Sequence, residues 1–355
     1  MDIPTLPDVT AKTITSDRLT TRVLFSGPED GIPVLFVHGN VSSATYWEET
    51  MVALPEGYRG IAPDNRGYGG ADPAKKIDAT RGTADLSDDL AALLDSLGLE
   101  SAHLVGHSLG GSVIWQFMID YPQRVRTVTL AAPGSPYGFG GCKGLDGEVN
   151  YPDSAGSGAG IVSPDFVKAI IDQDRSTDSP SSPRNIINTF YWKPPFVPAR
   201  VEELLSSALS IHTGENAYPG DAQPSENWPM AAPGKFGPNN ALAPIYRGDV
   251  SKLYAIDPKP SVLWIRGDSD QIVSDNSMFE MGTLGQMGAV PGWPGADVFP
   301  PQPMVSQTRA VLDEYKANGG AYEEIVFEET AHSPYIEKPE LFNQHFHALL
   351  KEYET

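Results

Sequence analysis

The segment Gly106-His107-Ser108-Leu109-Gly110-Gly111 has the makings of a nucleophile. A serine hydroxyl attacks poorly unless a sharp turn exposes it beside a base. Here the serine follows the apolar run His103-Leu104-Val105 and precedes a helical pattern from Ser112, so it falls at a strand-to-helix turn. Such a turn strains the serine backbone and crowds its flanks, which accounts for glycine on each side. A second group, His38-Gly39-Asn40-Val41, closes another apolar run. Acyl transfer develops negative charge on oxygen, and two backbone N–H groups must face it. The N–H groups of Leu109 and Asn40 are the candidates for this oxyanion hole.

A base and an orienting acid are also present. The apolar run Val262-Leu263-Trp264-Ile265 leads into Arg266-Gly267-Asp268-Ser269-Asp270-Gln271-Ile272-Val273. Either aspartate could reach a histidine; Asp270 is preferred because Ile272 and Val273 can anchor its loop, with Asp268 then a turn residue. Of seven histidines, His332 alone lies in a loop after a strand and downstream of both serine and acid. His38 and His107 flank the oxyanion and nucleophile positions and are expected beside the substrate. His103 lies in a strand and reads as a satisfied core or edge residue. His345 and His347 stand two apart on a helix, a poor metal pair, and His212 is unassigned.

These residues need a scaffold, and the surrounding pattern supplies one. Short apolar runs at Thr20–Ser26, Pro33–His38, Arg59–Pro63, His103–Gly106, Val125–Ala131, Ser261–Gly267 and Glu323–Phe327 read as strands. Helical periodicity at Leu86–Leu97, Ser112–Tyr121 and Pro339–Tyr353 separates or follows them. This alternation predicts an α/β fold, a mostly parallel sheet with helices on both faces. It breaks between residues 136 and 255, a Gly/Pro-rich stretch with helix-like segments only at Pro164–Asp172 and Pro198–Ser210. The expected organisation is a core of residues 1–135 and 256–355 with 136–255 inserted as a cap. A further irregular insert spans about 275–303 and holds Met278, Met281, Met287, Trp293 and Phe299. Met278 and Trp293 are candidates for lining an adaptable apolar pocket; covering the core edge is the equal alternative.

The order Ser108, Asp270, His332 is similar to that of the α/β-hydrolase family, and the resemblance runs from about Leu19 to the C-terminus. The stretch Asp64-Asn65-Arg66-Gly67-Tyr68-Gly69-Gly70-Ala71-Asp72 resembles the family loop that braces the oxyanion loop. The resemblance implies a serine hydrolase acting through an acyl-enzyme, without metal or cofactor, on a carboxylic ester or lactone of a medium-sized, fairly hydrophobic small molecule. Two alternatives stay open. Carbon–carbon bond hydrolases of the family share the triad but typically carry tryptophan after the histidine, where this chain has Ser333. Some plant hormone receptors keep the triad under compact four-helix lids, unlike this helix-poor insertion. Epoxide hydrolases and haloalkane dehalogenases are disfavoured, since they need aspartate where Ser108 stands.

Composition narrows the rest. The 355 residues are 40% hydrophobic and 20% charged, ordinary for a globular enzyme. With 46 acidic against 25 basic side chains the formal charge is −21, which disfavours nucleic acid and anionic lipid as partners. The single cysteine, Cys142, permits no intrachain disulfide. Without a signal-peptide pattern or a long apolar run, a cytoplasmic monomer or homodimer with no membrane span is expected.

Overall fold

The computed structural model of the protein describes residues 3–354. Eight strands form one sheet: β1 Thr10–Thr15, β2 Thr20–Ser26, β3 Ile32–Val37, β4 Tyr58–Pro63, β5 Ala102–His107, β6 Val125–Ala131, β7 Ser261–Gly267 and β8 Tyr322–Phe327. Their spatial order is β1-β2-β4-β3-β5-β6-β7-β8. Strands β3 to β8 run parallel, while β2 is antiparallel to β4 and to β1. Central strands explain their own composition: Val34, Leu35, Phe36 and Val37 are all fully buried, because helices cover both faces of β3.

Alternate residues feed two cores. Leu35, Val37, Leu104 and Trp264 join one with α1 (Ala84–Ser96), α2 (Leu109–Asp120) and α6 (Met304–Ala317). Val34, Phe36, Val105 and Ile265 join the other, with α7 (Pro339–Glu354) and with residues of the long excursion between β6 and β7. That excursion carries α3 (Pro164–Ile171), a π-helical turn (Ile187–Tyr191), α4 (Val201–Leu209) and two small hairpins. Its Ile170, Trp192 and Leu205 share a cluster with Phe36 and Phe346, so it packs as part of the sheet's apolar face.

Strand β1 and helix α6 are among the elements that escaped the sequence reading. Strand β1 is mostly exposed and polar, so it lacks apolar alternation; its pairing with β2 makes it a strand. Helix α6 follows directly on the irregular insert and buries only Met304, Gln307, Thr308, Val311, Leu312 and Tyr315. The insert itself holds a short helix, α5 (Met281–Gln286), with Glu280 capping it through Gly282 and Thr283. Among the described residues no helix is long and apolar enough to cross a membrane.

Candidate active site

Ser108 stands between β5 and α2 with φ 53° and ψ −116°, a left-handed conformation rare for a residue with a side chain. The turn is locked around it: Ser108 N–H donates to Ala131 O, and Ser108 O accepts from Ser112 and Gly134. Its glycines are steric necessities. A Cβ on Gly110 would lie 2.1 Å from Val37 O, and one on Gly106 would lie 2.6 Å from Ile114 Cδ1. Helix α2 therefore begins at Leu109, three residues before the predicted start, with Ser108 as its N-terminal flank. The first N–H of a helix has no partner within it. Leu109 N–H has no acceptor among the described residues.

Strands β7 and β8 lead into the loops that carry the candidate acid and the candidate base. His332 Nδ1 lies 2.8 Å from Asp270 Oδ2, and both side chains are buried. Asp270 Oδ1 accepts from Ile272 and Val273 N–H, so its carboxylate cannot swing away from the histidine. Asp268 is instead a surface turn residue, accepting from Ser269 Oγ; that bond and nearby backbone donors hold its carboxyl below the usual range despite the cost of burial. The two loops meet where a Cβ on Gly267 would fall 2.0 Å from Thr330 O. Ser108 Oγ makes no hydrogen bond among the described residues; catalytic hydrogen bonds are often long or unformed in free enzymes.

The oxyanion loop is pinned at nearly every atom. His38 Nδ1 and Ser42 Oγ both bond Gly39 O, each at 2.8 Å. A peptide group is planar, so fixing Gly39 C=O also fixes the opposed N–H of Asn40. Asn40 O accepts from Tyr191 Oη and Asn40 Oδ1 from Tyr68 Oη, both at 2.8 Å, while Asn40 Nδ2 donates to Asn239. Asn40 N–H, by contrast, has no acceptor among the described residues. A Cβ on Gly39 would stand 3.1 Å from Ser108 Cβ, so only glycine lets this loop approach the elbow. Asp64 braces the loop from below, accepting from Ala44 and Gly70 N–H.

His38 and His107 need correction as substrate contacts. His38 is fully buried; its Nε2 accepts from Asn65 N–H while Nδ1 serves Gly39, and burial holds its pKa down at about 4. His107 is 1% exposed, with Nε2 on His332 O at 2.9 Å and Nδ1 facing Tyr335 Oη at 3.4 Å. Burial, then the neighbouring His332, pushes it well below the ordinary histidine range. With both nitrogens of each ring committed to protein, these neutral histidines support the loops from behind. Met278 is half-buried and its N–H returns to Gln271 O; Trp293 Nε1 donates to Phe299 O, within the insert. Tyr191, Asn239 and Glu337 were missed by the sequence reading, whereas Tyr68 lies in the stretch expected to brace the oxyanion loop. The run Phe190-Tyr191-Trp192, aromatic amid Gly/Pro-rich chain, was the available signal.

Residues 32–156 match a family model described as the alpha/beta hydrolase fold. Carboxylesterase YbfK of Bacillus subtilis (strain 168) is 34% identical over 119 residues, 33% of this chain and 39% of that protein. Epoxide hydrolase A of Mycobacterium tuberculosis (strain ATCC 25618 / H37Rv) is 36% identical over 130 residues, 36% of this chain and 40% of its own length. The chain thus spans about two fifths of the curated relatives it matches. In three dimensions the likeness extends further. The crystal structure of the same Bacillus carboxylesterase superposes with TM-score 0.57 at 18% identity, covering 96% of this chain and 91% of that one. A serine hydrolase, CCSP0084, from the polyaromatic-hydrocarbon-degrading bacterium Cycloclasticus zankles gives 0.61 at 16% identity, over 97% and 98%. Such identities speak to the fold, and with the sheet order and the matching family model they show that this chain has the α/β-hydrolase fold.

Proposed function

We propose that the protein is a serine hydrolase of carboxylic esters or lactones, with Ser108 as nucleophile, His332 as base and Asp270 as the acid that orients it. The observation that carries this reading is the Asp270–His332 pair at 2.8 Å, set beside a serine at φ 53° on a strand-to-helix turn. His332 Nε2 takes the Ser108 proton as Oγ attacks the carbonyl carbon, and the oxyanion formed is met by the N–H groups of Asn40 and Leu109. Collapse passes that proton to the leaving alcohol and leaves an acyl-serine. Water, deprotonated by the same histidine, then releases the acid and restores Ser108. Asp270 remains ionised throughout and holds the imidazole tautomer.

Residues 136–255 act as the cap, and together with the 275–303 insert they select a medium-sized apolar substrate. Support comes from Tyr191, which reaches from this excursion to Asn40 and to the His332 ring, and from Phe279 of the insert, whose ring packs on Phe190 at 4.8 Å. The carboxylesterase relative favours esters. The test is hydrolysis of p-nitrophenyl esters from acetate to decanoate, wild type beside Ser108→Ala. Turnover abolished by the substitution is expected, with the preferred chain length sizing the pocket; a wild type inert on the whole series would overturn the assignment.

A further inference from the structure

Three consecutive residues of the long excursion reach the loops that carry Asn40, Asp270 and His332. Tyr191 Oη donates to Asn40 O at 2.8 Å, and its ring lies edge-on to His332 with centroids 5.9 Å apart. Trp192 is fully buried in the apolar cluster that holds Phe36 and Phe346. Lys193 N–H donates to Glu337 Oε2 at 2.8 Å, and the other oxygen of that carboxylate accepts from Ala331 N–H at 2.7 Å, next to His332. Lys193 Nζ reaches Ser269 Oγ at 3.1 Å, next to Asp270, and pairs with Glu329 at 2.6 Å. The segment leaves a π-helical turn at Tyr191, a geometry that often marks functional positions.

We infer that Tyr191-Trp192-Lys193 is a positioning strap, through which the excursion sets the oxyanion loop relative to His332 and Asp270. The inference rests on the serine-hydrolase reading above and goes beyond it: the excursion then governs the chemical step and not substrate choice alone. The physical argument is one of rigidity. His38 and Ser42 fix the peptide before Asn40, and Tyr191 fixes the peptide after it, so both soft torsions of Asn40 are held. Burial keeps the Tyr191 phenol protonated and therefore a donor. Without that bond the loop loses the only tie from Asn40 O among the described residues, and a small displacement of an oxyanion donor is costly to the rate.

Tyr191→Phe removes the hydroxyl and keeps the ring. With p-nitrophenyl acetate and p-nitrophenyl butyrate we expect kcat to fall about tenfold, KM to change less than about twofold, and the loss to be equal for both esters. Equality matters, because a residue that merely walls the acyl pocket would discriminate by chain length. Labelling of Ser108 by a fluorophosphonate probe should slow in parallel, with the melting temperature showing the variant folded. Glu337→Gln, which leaves one of the two N–H groups without an acceptor, should lower kcat in the same chain-length-independent way. Unchanged kcat and labelling in folded Tyr191→Phe, or a loss that depends on acyl length, overturns the strap. A wild type that neither hydrolyses esters nor takes the label fails at the serine-hydrolase reading, and the strap falls with it.

Discussion

The elbow region, residues 32–131, and the excursion from 132 to 260 are held by different physics. In the first, backbone meets backbone at distances that leave no room for a side chain, as at Gly110 against Val37 O. In the second, the contacts that reach the site are polar side-chain bonds: Ser43 Oγ to Ser207 Oγ at 2.6 Å, Asn40 to Asn239, Tyr191 to Asn40, and buried Glu48 to Arg200 at 3.1 Å. Steric constraint admits one residue type and writes itself into the sequence. Polar contact admits several and binds positions far apart in the chain, here by up to 199 residues. The lesson is that the nucleophile's placement is close to all-or-none, whereas the excursion's hold on the site is graded and can be tuned bond by bond.

Breaking the comparison at its strongest point means removing the nucleophile. Ser108→Ala should cost about 10⁴-fold or more in kcat/KM while the protein stays folded; residual turnover within tenfold of wild type would place the chemistry elsewhere. The steric side is next. Gly110→Ala forces a Cβ onto Val37 O and should cost about 3 kcal/mol or more by denaturant titration, and an unperturbed midpoint would deny the all-or-none character. Acid titration probes the same region. His38 and His103 are held at about 4 by burial, and His107 is also pushed well below its ordinary value, against about 6.5 when unfolded. The unfolded chain therefore binds more protons below pH 6.5, so stability is complete above that value and lost as pH falls towards 4, by up to about 3 kcal/mol for His38 alone. Thermal melts at pH 7.5, 6 and 5 should descend in that order; a flat series would contradict the neutral-histidine assignment.

The polar side should respond more gently. Ser207→Ala leaves the buried Ser43 hydroxyl without its partner and should cost about 1–2 kcal/mol, with a chevron or urea midpoint as the measure. A loss as large as that of Gly110→Ala would erase the distinction between the regions. The smallest effect is expected from Met278→Ala, which should shift the preferred ester length with kcat/KM on the best ester changing by less than about threefold. An unaltered length profile would remove Met278 from the pocket. Point substitution is the apt test here, because Phe299 is fully buried and Gln302 bonds both Gly138 and Gly140, so deleting the insert would open the core.

Much of the core was legible because its signals are local. Three strands, Thr20–Ser26, Val125–Ala131 and Ser261–Gly267, have the bounds their apolar runs predict, and the others differ by one residue at an end or both. The placement of Asp270 was legible for a related reason: the N–H groups of Ile272 and Val273, two and three residues on, hold its carboxylate. Less could be read where burial is partial. Helix α6 carries Gln307 and Thr308 on its buried side, where Gln307 bonds Ser135 and Gln302, so its inner face does not look apolar. His38 and His107 were misjudged as substrate contacts because adjacency in sequence to a reactive residue says nothing about which way a ring turns.

The sequence by itself determined the alternating frame, the strained elbow with its glycines, and the order of serine, acid and histidine. Each follows from constraints acting within a few residues: side-chain period, glycine's freedom at positive φ, and the reach of an N–H to a nearby carboxylate. Only the tertiary structure decided that both nitrogens of His38 and of His107 are taken up by the protein, and that Tyr191, Glu337 and Asn239 converge on the site. Those outcomes depend on the packing of segments up to 228 residues apart, and no local pattern encodes a hydrogen bond across such a separation.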